Sequence, residues 1–156
     1  MNTYFFTLVL KGAGSLLSRI EDNLYEAECS DALVCSYNGT VYLEFDRQAK
    51  SPQEAITFAI ENVQTAGLSV ASVQEGGVAS MAEIASRSKL TRAAINNYIK
   101  STRGPGNFPE PVYGLTSGSP LYSWPDVALW LHQQGKVSHS VMATSKAAQE
   151  ITLKRF

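Results

Sequence analysis

The sequence predicts an α+β protein built in two unlike parts. Three observations carry this expectation. Aromatic and β-branched runs alternate with helical spacings through the first half. Two capped helical patterns lie back to back in the second half, followed by proline- and glycine-rich stretches and an apolar helix. The charge divides between the halves: residues 1–79 hold four bases against ten acids and residues 80–156 nine against four, within a total of −1. The second half would therefore attract a polyanion that the first half repels.

Tyr4-Phe-Phe-Thr-Leu-Val-Leu10 is strand-like, because aromatic and β-branched residues fit a half-buried pleat. Gly12 and Gly14 break it. From Ser15, Leu16, Leu17, Ile20, Leu24 and Ala27 recur at helical spacing. Asp31 starts a second strand, Ala32 to Tyr37. Asn38-Gly39 favours the positive φ angles of a two-residue hairpin. Thr40–Phe45 then alternates, with Val41, Leu43 and Phe45 inward and Tyr42 and Glu44 outward. Ser51-Pro-Gln-Glu54 is a capping box with proline at the first helical position. The helix it opens runs to about Ala66 and buries Ala55, Ile56, Ala59, Ile60 and Val63. Gly67 stops it, and Leu68–Val73 makes a last strand. The order β-α-β-β-α-β predicts a ferredoxin-like sandwich over residues 1–75, one sheet with helices on one face.

This half offers no catalytic chemistry. Gly12-Ala-Gly14 matches neither glycine-rich phosphate signature. Glu44 and Asp46 share a strand face and read as an outward, solvated pair. The half contains no histidine. Its expected role is association or sensing, with homodimers formed through strand edges or the open sheet face. Cys29 and Cys35 are too few for a disulfide framework and read as reduced thiols, Cys35 alternating with apolar neighbours like a core residue.

Glu75-Gly76-Gly77 reads as a short linker. Ser80-Met-Ala-Glu83 is a second capping box, with Ile84 and Ala85 on the inner face of its helix. Ser88-Lys89 makes the turn, Leu90 points inward, and Thr91 caps a helix from Arg92 to about Lys100. Ile95, Tyr98 and Ile99 fall on its apolar side. The whole stretch from Ser80 to Ile99 resembles the helix-turn-helix of bacterial and phage regulators. Two positions depart from that pattern: Lys89 stands where glycine is usual, at a cost if φ is positive, and Ser88 replaces an apolar residue. Phe108-Pro-Glu-Pro-Val112, Leu121-Tyr122-Ser123 and Trp124-Pro-Asp-Val-Ala-Leu-Trp-Leu131 resemble the winged, excisionase-like subclass. The resemblance covers about residues 79–132. It implies a two-stranded wing with its tip near Gly114, Gly118 and Pro120, closed by a helix that Ser123 and Asp126 would cap. The DNA-binding domain is thus expected over 79–133, with a helical tail over 136–156.

The resemblance implies sequence-specific binding of double-stranded DNA by a transcriptional repressor of a phage or mobile element, and the few phosphate contacts of one such module, with affinity that falls steeply with salt, predict a dimer. The second helix would enter the major groove with its N-terminal residues facing base edges. Arg92 and Asn96 are the expected base readers, since arginine matches guanine and asparagine matches adenine with two contacts each. Lys89, Thr91, Asn97, Lys100, Arg103, Ser117 and Ser119 are expected on the backbone, where contacts position without specifying sequence. The bland alternative is a polar helix face that is only solvated. Trp124, Trp130, Tyr98 and Ile99 read as core rather than as a stacking platform.

Other classes find less in the residues. No nucleophile stands with a base, no metal-ligand spacing involves His132 or His139, and no phosphate loop is present, so neither enzyme, metal nor cofactor is expected. No apolar run spans a bilayer and no secretory pattern opens the chain, which predicts a cytoplasmic protein. The competing function is an antitoxin or adaptor that grips a protein partner through the first half or the tail and also represses its own operon. Val137, Val141, Ala147, Ala148, Ile151 and Leu153 give the tail a weak apolar face. It could pack on the body, swap between protomers or dock a partner.

Overall fold

A computed structural model describes residues 1–156. The first half forms β1 (Asn2–Lys11), a 3₁₀ segment (Gly14–Arg19) running into α1 (Ile20–Glu26), β2 (Leu33–Tyr37), β3 (Thr40–Ala49), α2 (Pro52–Thr65) and β4 (Ser69–Val73). The strands make one antiparallel sheet in the order β2-β3-β1-β4. The period-2 pattern decides which side is dry. Tyr4, Phe6, Leu8 and Leu10 of β1 and Val41, Leu43, Phe45 and Ala49 of β3 are buried on the face that α2 covers. Phe6 and Phe45 lie opposite each other in register and stack at 5.1 Å.

Local chemistry ends each element. Asn38 and Gly39 take φ angles of 49° and 84°, turning β2 into β3 in two residues. Ser51 Oγ accepts the Glu54 N–H at 3.1 Å, but the Glu54 carboxylate takes the Lys50 N–H rather than that of Ser51. The expected capping box is therefore offset by one residue. The helix expected from Ser15 begins instead as a 3₁₀ turn and becomes α-helical only at Ile20. Its first six residues bury no side chain fully, so too little packing holds a wider helix there.

Cys35 corrects the expectation of a core residue. Val34 pairs with buried Leu43, so Cys35 falls on the other face, beside Tyr42. The buried thiol is Cys29, at 1% exposure. Arg47 pins this corner: its guanidinium donates to both Asp31 oxygens at 2.9 Å, to Asn62 Oδ1 at 3.0 Å and to Cys29 Sγ at 3.5 Å. Hydrogen bonds from Arg47 hold the Asp31 carboxyl below its ordinary range, and burial pushes the Cys29 thiol up.

The second half contains β5 (Val78–Ala79), α3 (Met81–Ser88), α4 (Arg92–Ile99), β6 (Tyr122–Ser123), α5 (Trp124–Gln133) and α6 (His139–Arg155). β5 and β6 pair antiparallel. A second core gathers Ala79, Ile84, Ala85, Ile95, Tyr98, Tyr122, Trp124, Val127, Ala128, Trp130 and Leu131. The Trp130 indole N–H donates to the Gly106 carbonyl at 3.1 Å, so the buried ring keeps a polar partner.

The glycine pair expected as a linker does not hang free. Gln74–Gly76 forms a 3₁₀ turn seated beneath α6. α6 joins the two cores. Its Ala147, Ala148 and Ile151 belong to the sheet core, while Val141 packs against the second core. The tail thus packs on the body of its own chain. No helix is long and apolar enough to cross a membrane.

Candidate nucleic-acid interface

α3 and α4 are two helices of eight residues joined by a tight turn. Ser80 Oγ accepts the Glu83 N–H at 3.2 Å and Glu83 Oε1 accepts the Ser80 N–H at 3.1 Å, a complete capping box. Ile84, Ala85 and Ile95 are buried where the helices meet, and Leu90 packs on the same core. Small Ala85 permits a close approach at the turn.

Both unusual turn residues find a physical solution. Ser88 is buried, and its hydroxyl donates to the Ile84 carbonyl at 2.7 Å, within reach also of the Ala85 carbonyl. A polar side chain thereby occupies an apolar position without an orphaned donor. Lys89 caps α3 at φ 58°, the left-handed region that normally calls for glycine. Its N–H returns to the Ser86 carbonyl, and the Leu90 N–H to that of Ala85. Thr91 then caps α4, its Oγ1 accepting the Ala94 N–H at 3.0 Å.

The site residues read from the sequence sort by exposure. Thr91, Arg92 and Ala93 open α4 and are exposed; Lys89 precedes them and Lys100 follows, both exposed. The sheet half does not cover this edge. Asn96 and Asn97 are half-buried. Asn97 Oδ1 also accepts the Thr102 hydroxyl at 3.3 Å, which ties it to the end of its own helix. Arg103 is exposed in the irregular stretch after α4. Ser117 and Ser119 are exposed on a separate loop, where Ser117 Oγ donates to the Gly114 carbonyl at 3.2 Å.

That loop is a hairpin of minimal ladder. Val112 and Tyr113 donate to the Leu121 carbonyl, Leu121 returns a bond to Tyr113 at 2.8 Å, and one bridge pairs Tyr113 with Leu121. Beyond Leu121 the chain pairs instead with β5, and the Trp124 N–H donates to the Gly77 carbonyl at 3.0 Å. This pairing sets the start of α5. Ser123 makes no side-chain cap there, contrary to the expected box with Asp126, although Pro125 does occupy the first turn. Strand geometry at Ser123 takes the place of the cap.

Sequence reasoning did not single out Arg87. Its guanidinium lies over the Trp124 ring at 5.2 Å and reaches Glu83 Oε2 at 3.4 Å. Its spacing from Glu83, four residues, was the available signal; its position over Trp124 was not legible. His132 and His139 lie with ring centroids 5.6 Å apart, and the structure holds no cluster of three or more metal-ligating side chains.

No model of a known protein family matches the chain, nor does any curated protein or solved structure.

Proposed function

We propose that the chain binds double-stranded DNA sequence-specifically and acts as a dimeric transcriptional repressor. In this reading α3 and α4 are a helix-turn-helix, the 112–121 hairpin is its wing, and α5 closes a winged domain. The first half is a ferredoxin-like sandwich, as its strand order supports. One observation carries the reading: the N-terminal edge of α4 presents Thr91 and Arg92 just after Lys89, with Lys100 at the far end of the helix, all exposed. A helix N-terminus also favours phosphate through its unpaired N–H groups and dipole. The basic balance of residues 80–156 acts in the same direction.

Arg92 is the first base reader in this scheme. Asn96 shares the role from a half-buried position, and Asn97 is better suited to the backbone than to a base edge. The dimer rests on the sheet face left open by the helices. Tyr37 is 72% exposed there, with half-buried Val9, Cys35 and Tyr42 beside it. Two copies meeting on that face would relate their α4 helices by one two-fold axis. Half-sites would then fall about 34 Å apart, or a multiple of it.

The test is a random-site selection with the purified chain and with Arg92→Ala. Loss of preference at one base pair, about 1–3 kcal/mol, is expected of a direct reader. Failure of any duplex to shift at low ionic strength overturns the reading. Sedimentation of a monomer at micromolar concentration with binding intact removes the dimer alone.

A further inference from the structure

A cleft of about 170 Å³ opens where the two halves meet. Its walls come from β1, the 74–76 turn, the last turn of α3, the start of α5 and the first turns of α6. β4 ends at Val73, paired with Leu8, so β1 runs on to Asn2 with that edge unpaired. Glu75 replaces the missing strand: its Oε1 accepts the Thr7 N–H at 2.7 Å. N–H groups alternate between the edges of a strand, so that of Phe5 faces the same open side.

Arg87 faces the cleft from α3. Its Nη2 reaches Glu83, while its Nη1 is buried and has no partner. Buried donors are nearly always paired, so the guanidinium keeps unused donor capacity, and Arg87 is the one cation that lines the cleft. Glu75 faces the same cleft with opposite charge, yet the two form no ion pair. Ser140 and Thr144, one helical turn apart on α6, add two hydroxyls, and Phe5 and Val141 supply an apolar wall.

We propose that this cleft binds a free amino acid, its carboxylate on the Arg87 guanidinium, its ammonium on the second oxygen of Glu75, and a short side chain against Phe5 and Val141. The separated, unlike charges are what an amphoteric ligand complements and a simple anion does not. The volume sets the size. A nucleotide or drug-sized ligand would need a pocket on the order of 300 Å³ or more. The bound molecule would fasten α3 to α6 and to the edge of the sheet. The site stands whether or not the chain binds DNA.

The test uses the full purified chain without DNA. Each L-amino acid is titrated by calorimetry and by thermal melting, beside propionate and propylamine as single-charge controls. At least one small amino acid should raise the melting temperature, because a ligand of the native state alone stabilises it. The controls should bind at least tenfold more weakly. Glu75→Gln keeps an oxygen for the Thr7 N–H, and Arg87→Lys keeps the positive charge. Each should lose tenfold or more in affinity while circular dichroism stays that of the parent. No binding by any amino acid, propionate binding as tightly as the amino acid, or undiminished affinity in both variants would each overturn the site.

Discussion

Gly76 lies directly beneath Ala148: a Cβ added to Gly76 would stand 2.6 Å from the Ala148 carbonyl carbon and 2.7 Å from the Gln149 nitrogen. These are backbone atoms in the middle of α6, and they cannot swing aside. The contact brings the turn between the halves against the helix that joins both cores.

Gly76→Ala is therefore expected to push α6 off its seat. Overpacking of this kind costs about 1–3 kcal/mol. Chemical denaturation should show that loss, whereas Gly77→Ala should cost less, since a Cβ on Gly77 meets nothing nearer than 3.5 Å. Equal losses in the two variants would mean that close packing under α6 is not the cause.

Lys89→Gly separates stability from binding. Relief of the left-handed conformation at φ 58° should raise stability by up to about 1 kcal/mol. On the proposed function, loss of the lysine should weaken DNA binding and reduce the slope of log affinity against log salt by about 0.9, the share of one phosphate. Thermal melting and salt titration read the two effects independently. An unchanged salt slope would take Lys89 off the DNA backbone.

Gly114→Ala tests the hairpin. The added Cβ would fall 1.9 Å from the Ser119 carbonyl oxygen, at φ 78°. The 114–119 turn must open, yet neither core includes it. Hydrogen exchange should quicken at Val112, Tyr113 and Leu121 and stay unchanged at Ile84 and Ile95. Weaker DNA binding in the same variant would assign the hairpin to the interface.

Glu75 predicts a pH dependence with a definite sign. The residue keeps part of its surface exposed while its carboxylate lies deep, and burial raises its pKa; the Thr7 N–H and the nearby Arg87 charge pull it back. A carboxyl raised on folding favours the folded state when protonated. Its contribution is complete below the unfolded pKa and is lost as pH rises through the folded value. Glu75→Gln should thus gain on the parent at neutral pH, and the advantage should vanish on acidification. A constant difference from pH 4 to 8 would contradict this.

Asp31 has the opposite sign. Arg47 depresses its pKa, so its contribution is present above the ordinary carboxylate value and fades as pH falls through the depressed one. Asp31 is 39% exposed, and solvent screening limits Asp31→Asn to about 0.5–1 kcal/mol at neutral pH. Arg47→Met should cost more, about 1–3 kcal/mol, because it also strips partners from Asn62 and Cys29. Urea denaturation at pH 7 and pH 3 checks both size and direction.

Local chemistry determined most of the elements from the sequence alone. Val41, Leu43 and Phe45 chose their face by alternation, Asn38-Gly39 chose its turn, and Ser51, Ser80 and Thr91 each cap the helix they precede. These signals act over a few residues, so the linear order contains them. The exposed edge of α4, from Thr91 to Arg92, was legible for the same reason. The role of α6 was not: its apolar residues are few and small, and only the finished sheet and Gly76 show where Ala147 and Ala148 fit. Nor could spacing reveal that Glu75 stands in for a strand, or that Arg87 and Glu75 share one cleft. Those pairings join residues distant along the chain, and only three-dimensional packing brings them together.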